Sequence, residues 1–297
     1  MSIDTTDTRE TLAAQALEFL NDSELRCEGA PFLHRVRAVA PVLRTEIGVW
    51  IVTRHADALA IQKDFRRFSR AAFAEQYTHL DPQVLQYHLS GRPTMTDGAD
   101  HRRLRRLAAG AVAPAALKRW QTRIAEIAAR LVDEVEPRGS MNATHDLGYP
   151  FSQQVISFLL GVPYDDHSIW ESCMQRMLPL LLGVDTEEGL RAATEGTYEW
   201  AEYVRALMAR EREQPSGGLF SVLVNAEDEG SRLSETELVG FAHEIVTAGY
   251  ETVANTTELA IFLLLRHPPI SSPSFARTPA CGRARSRRCC ATCRPAP

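Results

Sequence analysis

The stretch that decides the fold is Ser234 to Leu265, SETELVGFAHEIVTAGYETVANTTELAIFLLL. Ser234 stands three residues before Glu237, the spacing of a capping box, in which a hydroxyl and a carboxylate each accept a backbone N–H at a helix start. No proline follows for about eight turns at ~3.6 residues each, so the pattern predicts one long helix. Leu238, Phe241, Ala242, Ile245, Val246, Gly249 and Val253 recur at helical intervals, and Leu259 to Leu265 is apolar nearly all round. Such a helix is mostly buried. Its middle carries Ala248-Gly249-Tyr250-Glu251-Thr252, which interrupts the apolar surface. A mid-helix glycine costs roughly 1 kcal/mol but admits close approach to the backbone. A threonine hydroxyl can bond to a carbonyl one turn back, and a glutamate is costly to bury unpaired. Together the five residues predict a local bulge facing a cavity. The alternative is a kinked core helix whose acid is paired at the solvent edge.

Further back in the chain, Asp97-Gly-Ala-Asp100-His101-Arg102-Arg103-Leu104-Arg105-Arg106-Leu107 predicts a second helix, capped by Asp97 or Asp100, on which His101 and Arg105 stand one turn apart. Two hydrogen-bonding or cationic side chains at that spacing can grip a carboxylate between them, arginine bidentately. The competing reading is a solvated basic face or a nucleic-acid patch. Against nucleic acid stands the charge of the body: residues 1–266 hold 27 basic and 38 acidic side chains, a balance of −11.

The two motifs, in this order, resemble those of the haem-thiolate monooxygenases, the cytochrome P450 family. Bacterial members carry Ala-Gly-x-Glu-Thr where a long helix passes over the haem, and a His-x-x-x-Arg helix that holds a haem propionate. The resemblance implies haem as cofactor, Glu251 and Thr252 as catalytic residues that deliver protons, Ala248 and Gly249 lining the oxygen groove, and His101 and Arg105 anchoring the cofactor. It also implies a small-molecule organic substrate and a ferredoxin-type electron donor, received by a basic face around Arg102 to Arg106. The fold expected is mainly α with a small β-sheet.

The remaining segments follow the same order from about residue 35 to 266. An opening helix spans 9–22. A hairpin over 41–53 has the form Gly-x-Trp-x-Val-Thr-Arg at 48–54, and is followed by a helix over 55–63 and by Arg67-Phe68-Ser69. Residues 70–95 read as irregular, with one short helix near Val84 to His88; in the resembled family this segment partly covers the substrate pocket. Helices follow over 115–135, 146–161, 167–183, 186–213 and 217–228.

At 297 residues with 44% hydrophobic and 24% charged content, the composition is that of an ordinary globular protein. No apolar run reaches membrane-spanning length and MSIDTTDTRE is not a signal peptide, which leads to the expectation of a cytoplasmic protein with no membrane and no nucleic acid among its partners. Residues 267–297 differ from the rest, with six Arg, no acid, four of the six Cys and six of the 16 Pro. Where the family has a Glu-x-x-Arg helix and later a Cys loop that ligates iron, this chain reads PISSPSFARTPACGRARSRRCCATCRPAP. With G or C at third codon positions and AGG for Arg287 and Arg288, Ser274 to Pro295 read two bases out of frame contains Val-Glu-Glu-Val-Leu-Arg-Tyr-Leu-Pro. That restores Glu-x-x-Arg. The expectation is therefore a family domain truncated at 268, with 269–297 a frameshifted, disordered tail that supplies neither the axial thiolate nor any other metal ligand. Cys281, Cys289, Cys290 and Cys293 lack the second well-spaced pair and the apolar residues of a zinc knuckle. His243-Glu244 opens like a zinc-protease helix, but Thr247 stands where the second His would be. The alternative to an enzyme is a non-catalytic helical protein that binds a hydrophobic ligand.

Overall fold

A computed structural model describes residues 8–22, 29–77, 80–163, 166–182, 186–228 and 230–266. They form two compact units, divided in the chain between Ser69 and Arg70. The predicted tail at 269–297 lies outside the described residues.

The first unit comprises α1 (Arg9–Asn21), α2 (Gly29–Val39), the strands β1 (Val42–Arg44) and β2 (Trp50–Val52), and α3 (His55–Lys63). The hairpin is antiparallel, with Val42 opposite Val52, Leu43 opposite Ile51 and Arg44 opposite Trp50. Both hairpin and α3 lie where the sequence pattern places them. Helix α2 was not anticipated. Gly29 and Pro31 weaken its start on propensity alone, yet Pro31 falls in the first turn, where its missing N–H leaves no bond unmade. Leu12 and Ala16 of α1, Val36 of α2, Leu43 of β1 and Ala40 in the connection between α2 and β1 form this unit's core.

In the second unit a 3₁₀ turn (Ala71–Tyr77) leads to α4 (Pro82–Leu89), a 3₁₀ turn (Pro93–Met95), α5 (Gly98–Ala109) and α6 (Pro114–Val135). A π-helical turn (Ala143–Gly148) runs into α7 (Tyr149–Leu160), then come α8 (His167–Leu182), α9 (Glu187–Glu213) and α10 (Leu219–Val224). A two-residue hairpin, β3 (Glu227–Asp228) with β4 (Ser231–Arg232), precedes α11 (Glu235–Arg266). The helix predicted over 217–228 thus stops at Val224. Its polar end, Asn225 to Gly230, has no apolar face to bury and turns back instead, with Arg232 Nε donating to Glu227 Oε2 at 2.8 Å.

Helix α11 is the axis of this unit and packs against α4, α7, α9 and the π-turn. Its predicted capping box is present: Ser234 N donates to Glu237 Oε2 at 2.8 Å and Glu237 N to Ser234 Oγ at 3.2 Å. Trp200 of α9, 1% exposed, reaches across to donate its indole N–H to Val239 O at 3.3 Å. The bulge expected at 248–252 is absent, and α11 is continuously α-helical. Gly249 instead faces α7, where a Cβ would lie 3.3 Å from Ile156 Cδ1. The residue that looked like a break in the helix is a packing contact between two helices. Among the described residues no helix is long and apolar enough to cross a membrane.

Candidate functional site

The site is organised by a crossing of two backbones. Between α4 and the Pro93 turn, Ser90-Gly91 lies directly on the first turns of α11. A Cβ on Gly91 would sit 1.9 Å from Glu237 O, and one on Gly240 would sit 1.8 Å from Ser90 O. Only hydrogen fits at either position, and Gly91 also holds φ +72°, a left-handed value that side chains disfavour.

From this crossing the chain delivers Arg92 and Thr94 to Glu244. Arg92 Nε donates to Glu244 Oε2 at 2.9 Å, Thr94 Oγ1 donates to the same oxygen at 2.8 Å, and Thr94 N donates to Oε1 at 3.3 Å. The paired side chains are only 7% and 12% exposed. A buried pair so fully hydrogen-bonded tolerates its desolvation, but removal of either partner strands a charge. Pro93 O, in the same turn, accepts a hydrogen bond from His101 Nδ1 at 2.9 Å. Arg103 of α5 forms an ion pair with Glu237 of α11. The two helices that carry the sequence motifs are therefore tied to each other at the N-terminal end of α11.

His101 is half-buried and Arg105 exposed, one turn apart on α5 as predicted. With Nδ1 committed as a donor to a carbonyl, the His101 ring offers a carboxylate an N–H through Nε2 only when doubly protonated. The Arg105 guanidinium has no hydrogen-bond or ion-pair partner among the described residues. Asp97 occupies the N-cap position of α5 with its carbonyl accepting His101 N at 3.3 Å but without a side-chain cap bond; its Oδ2 accepts Arg70 N at 2.8 Å and Ala71 N at 3.0 Å. The carboxylate anchors the preceding loop rather than the helix start.

On α11, Ala248, Glu251 and Thr252 are exposed. Thr252 Oγ1 donates to Ala248 O at 2.5 Å, the bond to the preceding turn that the motif allows. Among the described residues no hydrogen bond or ion pair joins His101 or Arg105 to residues 248–252, which begin ~16 Å beyond Glu237 at 1.5 Å per residue. For a planar cofactor with carboxylate arms the donor set fits. Two nitrogen donors stand one turn apart on α5, and the surface of Ala248 and Thr252 is uncovered further along the helix to which α5 is fastened.

A different face of α11 borders a cavity of about 540 Å³. His243, Val246, Thr247 and Tyr250 line it from α11, facing Trp170 and Met174 of α8. His88 and His243 meet edge to face, with ring centroids 5.0 Å apart. Burial, and then the Arg92 charge, pushes the His88 imidazole down to about 4. His243, 5% exposed, is held well below its ordinary value by burial, then by His88 and Arg92. Both rings are neutral at pH 7. Tyr250 donates its hydroxyl to Glu171 Oε1 at 3.0 Å, and burial followed by the Glu171 charge raises the phenol, which stays protonated.

Arg92, His88 and Trp170 were not singled out from sequence, and His243-Glu244 was weighed only as the start of a zinc-protease helix, not as members of this buried cluster. A signal existed in Glu244, an acid flanked on the core face of α11 by Phe241, Ala242 and Ile245, where only a buried partner makes it tolerable. Its partner is 152 positions away in sequence.

The architecture is a helical fold in which a long helix is crossed near its start by a short, glycine-containing loop. A family model described as Cytochrome P450 matches residues 191–272. The chain is 32% identical over 249 residues to the polyketide biosynthesis cytochrome P450 PksS of Bacillus subtilis, an alignment covering 79% of this chain and 59% of that protein. It is 32% identical over 241 residues to nocardicin C N-oxygenase of Nocardia uniformis, covering 78% and 58%. The crystal structure of CalO2 superposes with a TM-score of 0.75 at 27% identity, covering 86% of this chain and 65% of that one. The chain belongs to the cytochrome P450 family. It spans roughly three fifths of the length of these curated relatives.

Proposed function

We propose that the chain carries the substrate-side and oxygen-side parts of a haem-thiolate monooxygenase acting on a small organic substrate. The observation that carries this is the pairing of an unpartnered Arg105 and a tethered His101 on α5 with the uncovered Ala248 and Thr252 surface of α11. Haem held by a thiolate would supply activation of dioxygen. Arg105 and His101 would hold its carboxylate arms by hydrogen bonds, charge-assisted from the guanidinium. Ala248 and Gly249 would leave room at the helix backbone for a small molecule. Thr252 would hold a proton at Oγ1, with Glu251 one residue away to replenish it from solvent. A ferredoxin-type donor would meet the exposed Arg102 and Arg106 of α5.

In this reading residues 1–268 are the N-terminal and central part of the domain and 269–297 a frameshifted tail. The 297 residues contain no Phe-x-x-Gly followed by Cys four residues later, the spacing of the family's ligand loop. Haem is therefore expected to bind the chain weakly, without a thiolate-type Soret band in the reduced carbon monoxide complex, and turnover is expected to be absent. Titration of haemin into the purified chain tests the anchors. Arg105→Ala should weaken uptake about tenfold, the size of one charge-assisted hydrogen bond. Uptake indifferent to both Arg105→Ala and His101→Ala would refute the assignment. Sequencing the locus on both strands tests the tail, and an intact reading frame through residue 297 would remove the frameshift.

A further inference from the structure

The hairpin of the first unit ends in an edge that nothing among the described residues covers. Thr45 N donates to Val49 O at 2.8 Å, Thr53 N donates to Pro41 O at 3.0 Å, and Leu43 stands opposite Ile51. In an antiparallel ladder the residues that exchange bonds alternate with residues whose N–H and C=O point away from the partner strand. Val49, Ile51 and Thr53 turn their peptide groups towards β1, so Trp50 and Val52 turn theirs outward. Among the described residues no other group bonds to the outward N–H or C=O of either.

The side chains do not guard this edge. Natural edge strands are blunted by lysine, proline, a bulge or a covering segment. The run Gly48-Val49-Trp50-Ile51-Val52-Thr53 has no charge and no proline, and beyond Gly48 every side chain is β-branched or aromatic, the pattern most prone to pair with another strand. Val49 is 42% exposed, Trp50 57%, and Ile47 in the turn before them 60%. The opposite edge differs, because Arg9 of α1 donates from Nη2 to Val42 O at 2.8 Å. Ile51 packs on the core of the unit, which leaves Trp50 and Val52 on its outer face.

We propose that β2 is a self-association edge: it adds antiparallel to β2 of a second copy about a two-fold axis at Ile51, giving a four-stranded sheet in the order β1-β2-β2-β1. Self-complementarity selects a second copy. With Ile51 opposite Ile51, Trp50 N–H meets Val52 O of the other copy and Val52 N–H meets its Trp50 O, and the two-fold repeats both bonds. All eight outward groups are then paired in four hydrogen bonds. Across the new seam Trp50 lies beside Val52, an aromatic against a β-branched side chain, and the two Ile51 side chains meet on the core face. With Arg9 on the far edge of each hairpin, the assembly closes at two copies. An interface this short belongs with transient contacts, and half-association is expected on the order of 100 µM. The edge lies wholly in the first unit, and the inference stands apart from the haem reading.

The test is sedimentation equilibrium on the full 297-residue chain from about 5 to about 500 µM, joined to amide hydrogen exchange at both ends of that range. The mass should rise from one chain to two and stop there. The Trp50 and Val52 amides should exchange fast in the dilute sample and about tenfold more slowly or better in the concentrated one, while Thr45 and Thr53, already bonded within the hairpin, change little. Val52→Pro removes an outward donor and leaves the ladder to β1 intact, and Trp50→Lys sets a charge on the seam; each should raise the concentration for half-association about tenfold or more. Phe262→Asp, at a comparably exposed apolar position of α11, should leave the mass curve as it was. A chain that stays monomeric throughout, a mass that passes two chains without a plateau, or a dimer kept in both Val52→Pro and Trp50→Lys or lost in Phe262→Asp would overturn the proposal. So would protection of the Trp50 and Val52 amides at every concentration, the result expected if residues 269–297 or another segment of the same chain took the edge. The exchange pattern of the unaltered chain decides the matter even where a variant fails to fold.

Discussion

Leu238, Val239, Ala242 and Val246, in the first half of α11, are at most 1% exposed, whereas Leu259, Phe262 and Leu265, in the second, are 46%, 51% and 73% exposed. The sequence pattern is if anything more apolar in the second half. The first half is wrapped by the Ser90-Gly91 crossing and by Trp200, and it holds a buried ion pair. In the second half three hydroxyls bond within the helix: Thr252, Thr256 and Thr257 each donate to the carbonyl four residues back, at 2.5, 2.6 and 2.8 Å. Apolar periodicity reports that a surface is suited to burial; it does not report which surface covers it.

The contrast is most sharply tested at Glu244. Glu244→Ala should cost about 3–5 kcal/mol in urea denaturation because it leaves the buried Arg92 guanidinium uncompensated, and Arg92→Met with Glu244→Leu should recover most of it. A loss under 1 kcal/mol would show that the first half of α11 is not held by this pair. Acid should separate the halves next. The His88 imidazole, pushed down to about 4 in the folded chain, stays neutral while its unfolded counterpart takes up a proton. Stability should therefore be fully present above pH ~6.5 and fall as the pH drops towards 4, by about 3 kcal/mol at 1.36 kcal/mol per unit. His88→Gln should reduce that dependence, with the depressed His243 imidazole supplying the remainder.

Gly240→Ala comes third. Its methyl would enter the space of Ser90 O, so the crossing must part, and a loss of about 2–3 kcal/mol is expected from the urea midpoint. Smallest are changes in the second half. Leu265→Ala and Thr252→Ala should each stay within ~0.5 kcal/mol of the parent, as for exposed positions generally. A large loss from Leu265→Ala would reveal a covering surface beyond the described residues.

Much of this was readable in the residues. The capping box at Ser234 and Glu237, the limits of α3 and the one-turn spacing of His101 and Arg105 are local features, decided by residues three or four apart, and the structure follows them closely. The family followed from the order of such features. Legibility failed where partners are distant. Gly249 reads as a flaw in a helix until Ile156 is seen against it, and Glu244 reads only as half of a failed metal-ligand motif until Arg92, 152 positions away, is seen paired with it. The hairpin at 227–232 was lost because two-residue strands carry no alternation to detect.

The contacts of Gly91 with Glu237 and of Gly240 with Ser90 set a rule for how this molecule can be altered. Peptide rests on peptide there, so the loop cannot be raised, lowered or slid along the helix by enlarging either residue. The groups hung from that loop, Arg92 towards the cavity and Pro93 O towards His101, inherit a fixed depth. Side chains on the cavity wall, such as Met174 of α8, can be changed without touching that crossing.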